Sequence, residues 1–166
     1  MGKDLKQQAV EALQELDMHR KVQLIVSGGI RSGADVAKAL ALGADAVSIG
    51  TAALIALNCN GPLYEDDYKA LGVEAGLCHH CHTGRCPVGI ATQDTELEQR
   101  LDPEAAALRL RNYLSTMVLE AQTLARACGK SHLLHLEPED LVALTIEAAA
   151  MAGVPLAGTR WIPGRS

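Results

Sequence analysis

The stretch that decides the fold is residues 22–54, which read VQLIVSGGIRSGADVAKALALGADAVSIGTAAL. It contains two short apolar runs, residues 22–26 and 45–49, which are typical of buried strands. A glycine-containing turn and then an apolar helical segment follow each run, residues 34–42 after the first and 52–57 after the second. This order predicts two parallel strands joined by a right-handed helical crossover, and hence an α/β fold.

The turns that follow the two strands carry the first functional signal. Gly28 and Gly29 follow the first strand, and Gly50 and Thr51 follow the second. Glycine lets backbone N–H groups approach a phosphate without a side chain in the way, and a nearby helix start adds a favourable dipole. Arg31 would add a charge-assisted contact. A Gly-Gly pair alone also occurs in ordinary tight turns, but two such turns at this separation favour a phosphate site.

The second functional signal is the segment 78–93, which reads CHHCHTGRCPVGIATQ. Its cysteines Cys78, Cys81 and Cys86 have the spacing C-x2-C-x4-C. Thiolates bind soft metals and iron–sulfur clusters, and close spacing lets one loop surround one centre. Two alternatives stay open: a zinc site that also uses a histidine, and an ordinary loop with three reduced thiols. The interleaved histidines are His79, His80 and His82.

The remaining segments are predicted to be mostly helical. Residues 1–19 have the apolar spacing of an amphipathic helix, and residues 58–71 read as an irregular, polar stretch. Residues 103–128 predict a long helix that begins at a proline and ends before a glycine. A further helix is predicted over residues 137–151, and residues 157–166 read as a loop. The chain therefore divides into three sections: residues 1–57, 58–101 and 102–166.

Composition limits the function classes. With 166 residues and 48% hydrophobic content, the chain can form a core and is not disordered. It has no Phe, one Trp and three Tyr, so Ala, Leu, Val and Ile must fill that core. The net charge of -5 gives no electrostatic reason to bind nucleic acid. We expect no membrane segment and no signal peptide, because no apolar run is long enough.

Cysteine usage predicts a cytoplasmic location. Five cysteines is an odd number, which fits reduced or metal-bound thiols better than a disulfide framework. Cys59 and Cys128 are isolated in the sequence. Each is expected to be a packed or incidental thiol rather than a ligand.

Residues 22–54 resemble the last two strand–helix units of FMN-binding (β/α)8 TIM barrels, among them glutamate synthase, inosine monophosphate dehydrogenase and the hydroxy-acid oxidases. Residues 81–93 resemble the iron–sulfur loop of the FMN-containing domain of glutamate synthase, and the similarity extends to about residue 163. The resemblance implies the C-terminal portion of such a barrel, followed by a cysteine loop and a mainly helical C-terminal section.

The resemblance also implies two cofactors. FMN would be bound through its phosphate, and an iron–sulfur cluster would be bound by Cys78, Cys81 and Cys86. A three-iron, four-sulfide cluster is favoured, because no fourth cysteine lies nearby in the sequence. In bacterial members of the family the first cysteine lies further ahead of the second, which leaves the first ligand open. The implied phosphate contacts are Gly28, Gly29, Gly50 and Thr51, with Arg31 as a weaker candidate.

The implied activity is the reductive transfer of glutamine-derived ammonia to 2-oxoglutarate, which gives glutamate. A complete barrel needs roughly 250 residues, so we expect another chain to supply the missing barrel strands and the glutaminase domain, or the chain to self-associate. No catalytic acid or base is evident in the sequence. The alternatives are a non-catalytic zinc-binding interaction module derived from a flavin barrel, and a different FMN-dependent barrel oxidoreductase.

Overall fold

The computed structural model describes residues 5–19 and 21–164, with residues 5–7 described by their backbone alone. Over this range the chain is mostly helical and has one small parallel sheet, which confirms the α/β class. That the sheet belongs to a barrel stays a prediction. The helices are α1 (Leu5–Glu15), α2 (Gly33–Ala41), α3 (Thr51–Ala56), α4 (Glu65–Ala70), α5 (Thr95–Glu98), α6 (Pro103–Ala127) and α7 (Ile146–Ala152). The strands are β1 (Ile25–Ser27) and β2 (Ala46–Ser48).

The strands β1 and β2 form the predicted parallel pair, and α2 connects them. Ile25 lies opposite Ala46, Val26 opposite Val47, and Ser27 opposite Ser48. Burial of both faces, which the apolar runs predicted, is not achieved among the described residues. Side chains along each strand alternate between exposed and half-buried, and Ile25 is 65% exposed. The reason is that the sheet has two strands within the described residues, too few to cover its own faces.

Several predicted helices are confirmed with shifted ends. The amphipathic helix predicted over residues 1–19 is α1, although residues 1–4 lie outside the described part of the chain. The helices predicted around the strands are α2 and α3, each displaced by one residue. The long helix predicted over residues 103–128 is α6, and Gly129 follows it with a φ of 75°.

The single helix predicted over residues 137–151 is wrong. Pro138–Asp140 form one 3₁₀ turn, and α7 begins only at Ile146. The Glu137 N–H donates to the Asp140 carboxylate at 2.9 Å, which closes this turn on itself. Lys130 adds ion pairs to both carboxylates, at 3.0 Å to Glu137 and 3.3 Å to Asp140. Glu137 and Asp140, which the sequence placed at the start of a helix, therefore stabilise a single turn instead.

An extended residue separates that turn from α7. The Ala143 N–H donates to the Pro155 carbonyl at 2.8 Å, and the Ala143 carbonyl accepts from the Ala157 N–H at 2.8 Å. These bonds to a later segment hold Ala143 out of the helical conformation. Thr145 then caps α7, since its hydroxyl accepts from the Ala148 N–H at 3.1 Å.

The first compact unit comprises Met1–Ile49 and Met117–Ser166, taken over their described residues. Its main core contains small side chains from two helices, Ala37 and Ala41 of α2 and Ala125 of α6, together with Leu136. Alanine dominates because its short side chain lets helices approach closely, and the sequence provides few aromatic residues to fill a wider gap.

Gly33, the first residue of α2, lies in direct contact with the backbone of α6. A methyl group added at Gly33 would lie 2.3 Å from the Met117 carbonyl oxygen and 2.6 Å from the Ala121 nitrogen. The Gly33 N–H donates to the Glu120 carboxylate at 2.6 Å. Only a residue without a side chain permits this approach, so Gly33 sets the distance between the two helices.

The second compact unit, Gly50–Thr116, is built around Tyr68 of α4, which is 1% exposed. Cys86 and Val88 are buried against Tyr68. The sequence predicted an irregular stretch over residues 58–71, but α4 forms there. Acidic side chains occupy its first turn, and Lys69 pairs with Glu65 one turn earlier at 3.1 Å.

The boundaries between these two units fall after residue 49 and after residue 116. The three sections predicted from the sequence, residues 1–57, 58–101 and 102–166, stay a prediction. Among the helices of the described residues, none is both long enough and apolar enough to cross a membrane.

Replacement of Gly33 by alanine tests the close helix contact. We expect Gly33→Ala to lower the free energy of unfolding by about 2 kcal/mol, because the added methyl group overlaps backbone atoms that cannot rotate away. Urea denaturation followed by circular dichroism measures the change. Gly50→Ala is the control, since an added methyl there meets no atom within 4 Å. Equal stability of the two variants would contradict the role assigned to Gly33.

Candidate functional site

The cysteine loop lies in the second unit and holds its three thiols in different environments. Cys86 is buried, Cys78 is half-buried, and Cys81 is exposed. A 3₁₀ turn at His80–Thr83 carries Cys81, and Gly84 ends it in the left-handed conformation with a φ of 73°. The chain thus reverses between the second and third cysteines, as a loop that surrounds a single centre must do.

Hydrogen bonds within the loop fix this reversal. The His80 N–H donates to the Cys78 sulfur at 3.5 Å. The Thr83 hydroxyl donates to the His80 carbonyl at 2.8 Å and accepts from the Arg85 N–H at 3.3 Å. The Thr92 hydroxyl donates to the Gly84 carbonyl. Backbone N–H groups directed at thiolate sulfurs are a means by which proteins tune iron–sulfur clusters, so this loop fits such a group.

Arg100 stabilises the segment that follows Cys86, the last cysteine of the loop. Its guanidinium donates to the Pro87 carbonyl at 2.9 Å and pairs with the Asp67 carboxylate at 3.1 Å. The same guanidinium lies 4.9 Å from the centre of the Tyr64 ring, within cation–π distance. One side chain therefore ties the residue after Cys86 to the segment that carries Tyr68.

The structure also brings Cys59 to this region, which the sequence did not predict. The Tyr68 hydroxyl donates to the Cys59 carbonyl. Burial raises the pKa of the Cys59 thiol, and the neighbouring thiols Cys86, Cys81 and Cys78 raise it further. Burial is also the main cause that raises the pKa of Tyr68, with the four thiols adding to it. Because Cys59 is far from the loop in sequence, no spacing pattern could have indicated this proximity.

The histidines of the loop are arranged as neighbours. The rings of His79 and His80 stack with their centres 4.7 Å apart. Over the part of the chain that the structure describes, no three side chains of His, Cys, Asp or Glu converge in the arrangement that holds a single metal ion.

The first glycine turn belongs to the first unit and follows β1. Gly28 and Gly29 have φ values of 105° and 71°, a backbone conformation that other residues adopt only with strain. Both are exposed, and no atom lies within 4 Å of a methyl group built on either. The turn is thus an open stretch of backbone that an anion can reach.

The start of α2 is already satisfied by the protein's own side chains. The Ser32 hydroxyl accepts from the Asp35 N–H at 3.3 Å, and the Gly33 N–H is bonded to Glu120. Lys38 is the main cause that lowers the pKa of Asp35 to about 2, and the Arg31 N–H and the Ser32 hydroxyl also donate to this carboxylate. Asp35 is therefore ionised at neutral pH. The N–H groups of Gly33 and Asp35 are therefore already hydrogen-bonded and are not available to a phosphate. The turn at Gly28 and Gly29 remains accessible to one.

The second glycine turn belongs to the second unit. Gly50 is the N-cap of α3 and makes no side-chain capping bond, and Thr51 is the first helical residue. Both are exposed, and a methyl group built on Gly50 meets no atom within 4 Å. Each of the two predicted turns is thus open backbone when considered within its own unit.

Together these features define an α/β protein with glycine turns after two parallel strands and a thiol-rich loop. A family model described as a conserved region in glutamate synthase matches residues 6–131. The chain belongs to the glutamate synthase family.

Individual relatives agree with this assignment. A glutamate synthase large subunit-like protein from Rhizobium meliloti (strain 1021) is 69% identical over 157 residues, which cover 95% of this chain and 36% of that protein. An archaeal-type glutamate synthase (NADPH) from Dehalococcoides mccartyi is 40% identical over 88% of this chain and 27% of its own length. A ferredoxin-dependent glutamate synthase from Pyropia yezoensis is 33% identical over 75% of this chain and 8% of its own length. The chain therefore spans only about a third, or less, of these relatives.

Loss of the Arg100 contacts should loosen the cysteine loop. We expect Arg100→Ala to increase the rate at which a thiol reagent labels Cys86 about tenfold in the metal-free chain, because a charged hydrogen bond and an ion pair no longer oppose opening. Mass spectrometry of the labelled peptides separates Cys86 from Cys81, which is already exposed and should react at an unchanged rate. Arg85→Ala is the control, because it removes the same charge within the loop. An unchanged Cys86 rate would show that Arg100 does not fasten the loop.

Proposed function

We propose that this chain forms the C-terminal part of the FMN-binding and iron–sulfur domain of a glutamate synthase-type oxidoreductase. The observation that carries the proposal is the cysteine loop, in which Cys81 lies in one 3₁₀ turn that ends at Gly84, Cys78 and Cys86 lie on either side of that turn, and the Cys78 sulfur accepts a backbone N–H. Membership of the family supports it, because the matched region includes both the glycine turns and this loop. Family membership also argues against a different flavin barrel enzyme.

The proposed ligands of the cluster are Cys78, Cys81 and Cys86. Their thiolates suit iron, and the burial of Cys86 beside Tyr68 protects one side of the site from water. A three-iron, four-sulfide cluster is the form that three loop thiolates alone would favour. When bound, the cluster supplies single electrons to the flavin.

The proposed FMN site uses the open glycine turns. Gly28 and Gly29 would offer backbone N–H groups to the phosphate, as would Gly50 and Thr51, with Arg31 as a weaker contact. FMN supplies hydride transfer when bound, and the protein orients it. The proposed substrates of the complete enzyme are 2-oxoglutarate and ammonia released from glutamine.

The proposal requires protein partners. The chain spans 36% of its relative from Rhizobium meliloti, so the remaining barrel strands and the glutaminase are proposed to lie elsewhere in a larger enzyme, or a second copy supplies the missing faces. The exposed apolar side chain of Ile25 on β1 supports this, because sheets of this kind are normally covered on both faces.

Cysteine and histidine variants test the cluster assignment. We expect Cys81→Ser and Cys86→Ser each to abolish assembly of an iron–sulfur cluster, because two remaining loop thiolates cannot surround it. Analysis of iron and acid-labile sulfide after anaerobic reconstitution is the measurement. His79→Ala, His80→Ala and His82→Ala are the matched controls and should retain the cluster. Zinc in place of iron, with metal lost from a histidine variant, would favour the zinc-binding interaction module instead.

The glycine turns are tested by flavin binding. We expect the 166-residue chain alone to bind FMN more weakly than about 10 μM, because phosphate contacts without ring contacts seldom repay the cost of association. In the complete enzyme, Gly29→Ala should weaken FMN binding about tenfold or more, since a side chain strains the turn.

Flavin fluorescence titration measures both affinities. Gly129→Ala is the control for backbone strain, because Gly129 also has a positive φ and open surroundings but lies after α6. Nanomolar binding of FMN to the chain alone would contradict the expected weak binding. Equal effects of the two alanine variants would refute the phosphate assignment.

A further inference from the structure

An extended segment, residues 141–145, lies between the 3₁₀ turn at Pro138–Asp140 and α7. Its two ends have strand-like backbone angles, with φ -113° and ψ 143° at Leu141 and φ -129° and ψ 156° at Thr145. Leu141 and Ala143 pack in one core cluster of the first unit. The segment is therefore a short strand whose inward side is fixed by the core.

One edge of this segment is already paired. Ala143 forms a parallel bridge with Leu156 through its two backbone hydrogen bonds. The far side of Leu156 is closed by a turn, because its N–H donates to the Trp161 carbonyl at 3.0 Å and its carbonyl accepts from the Thr159 N–H at 3.0 Å. A further strand can therefore join this pair only at the outer edge of residues 141–145.

The outer edge, formed by Val142 and Leu144, is open. Successive residues of a strand direct their backbone groups to opposite edges, so these two residues lie on the edge opposite to the bridge with Leu156. Within the described part of the chain, neither residue forms a hydrogen bond through its N–H or its carbonyl group. A strand edge with unpaired backbone groups is a template for a further extended segment.

The side chains on this edge are apolar and exposed. Val142 is 61% exposed and Leu144 is 86% exposed, and both lie on the face opposite to Leu141 and Ala143. Ile146, two residues further along, is 52% exposed. An open edge together with exposed side chains at alternate positions is what peptide recognition by strand addition requires, since the backbone supplies affinity and the side chains supply specificity.

Carboxylates flank the open edge on both sides. Glu139 precedes it, and Glu147 follows it in the first turn of α7. Both are exposed, and neither forms an ion pair with another described residue. Lys130 does not neutralise them, because it pairs with Glu137 and Asp140. The charges at the two ends of the edge therefore favour a cationic partner.

A second copy of this chain fits the edge poorly. If two copies paired antiparallel with Val142 opposite Leu144, Glu139 of one copy would be brought towards Glu147 of the other. Like charges placed opposite one another destabilise a pair of strands. The same carboxylates would attract a segment with lysine or arginine at its ends.

We propose that the open edge at Val142 and Leu144 is a docking site for an extended segment of another polypeptide, with an apolar centre flanked by lysine or arginine. The segment would pair its backbone with the edge, cover the two exposed side chains and place cations beside Glu139 and Glu147. This inference does not depend on the proposed function, because the edge uses neither the glycine turns nor the cysteine loop.

The test measures binding of the end-blocked, fluorescently labelled peptide KRVTVRK to the full 166-residue chain by fluorescence anisotropy. One control peptide is N-methylated at both valines, which removes the N–H groups that would pair with the edge. The other, EEVTVEE, keeps the apolar centre and reverses the charge. Leu144→Lys alters the edge itself, and Leu134→Lys is the matched control, because Leu134 is an exposed leucine of the same unit outside this segment.

We expect both control peptides, and the Leu144→Lys variant, to show binding weakened about tenfold or more, because each change removes hydrogen bonds, charge pairs or apolar contact. Leu134→Lys should bind KRVTVRK as wild type does. Combined Glu139→Gln and Glu147→Gln should weaken binding about threefold and reduce its dependence on salt.

Three outcomes would overturn the inference. The first is no binding of KRVTVRK at about 1 mM. The second is equal affinity for the N-methylated peptide, or equal affinity of wild type and a folded Leu144→Lys variant, with circular dichroism as the check on folding. The third is a wild-type dimer, measured by light scattering, that Leu144→Lys dissociates, because the edge would then belong to a second copy. Unchanged affinity of the double glutamine variant would overturn the cationic character of the partner.

Discussion

The contact between Gly33 and the backbone of α6 is the constraint on which the first unit depends. Because a methyl group at Gly33 would lie 2.3 Å from the Met117 carbonyl, the two helices can meet only where a side chain is absent. Glu120 then accepts the Gly33 N–H and fixes the register of one helix against the other. The alanines that form the rest of this interface are buried because the helices are already close.

The second unit orders a polar, partly exposed cysteine loop with few aromatic residues. Tyr68 is the largest fully buried side chain among the described residues, and its hydroxyl donates to the Cys59 carbonyl. Arg100 covers the loop exit with three different interactions. The loop is therefore ordered by side chains outside it as well as by its own hydrogen bonds, which is the form of support that a cofactor ligand set requires.

The glycine turns and the cysteine loop differ in what they show about function. The loop carries its chemistry in side chains, so its donor set can be assessed within one chain. The turns would carry theirs in backbone N–H groups, which many anions can use, so the proposal that they bind FMN depends on the family to which the chain belongs. The chain covers 36% of its relative from Rhizobium meliloti, and Ile25 on the sheet is 65% exposed.

The sequence by itself determined the features that depend on neighbouring residues. The strand–helix–strand order and the long helix α6 follow from short-range periodicity, caps and glycine positions. The spacing of Cys78, Cys81 and Cys86 is read directly from the sequence. The tertiary structure decided the features that depend on distant residues. Ala143 leaves the predicted helix because it is hydrogen-bonded to Pro155 and Ala157, and the turn at Cys59 lies against α4 because the Tyr68 hydroxyl donates to the Cys59 carbonyl. Such contacts join segments that are far apart in the chain, and no local pattern of residues specifies which distant partner will be near.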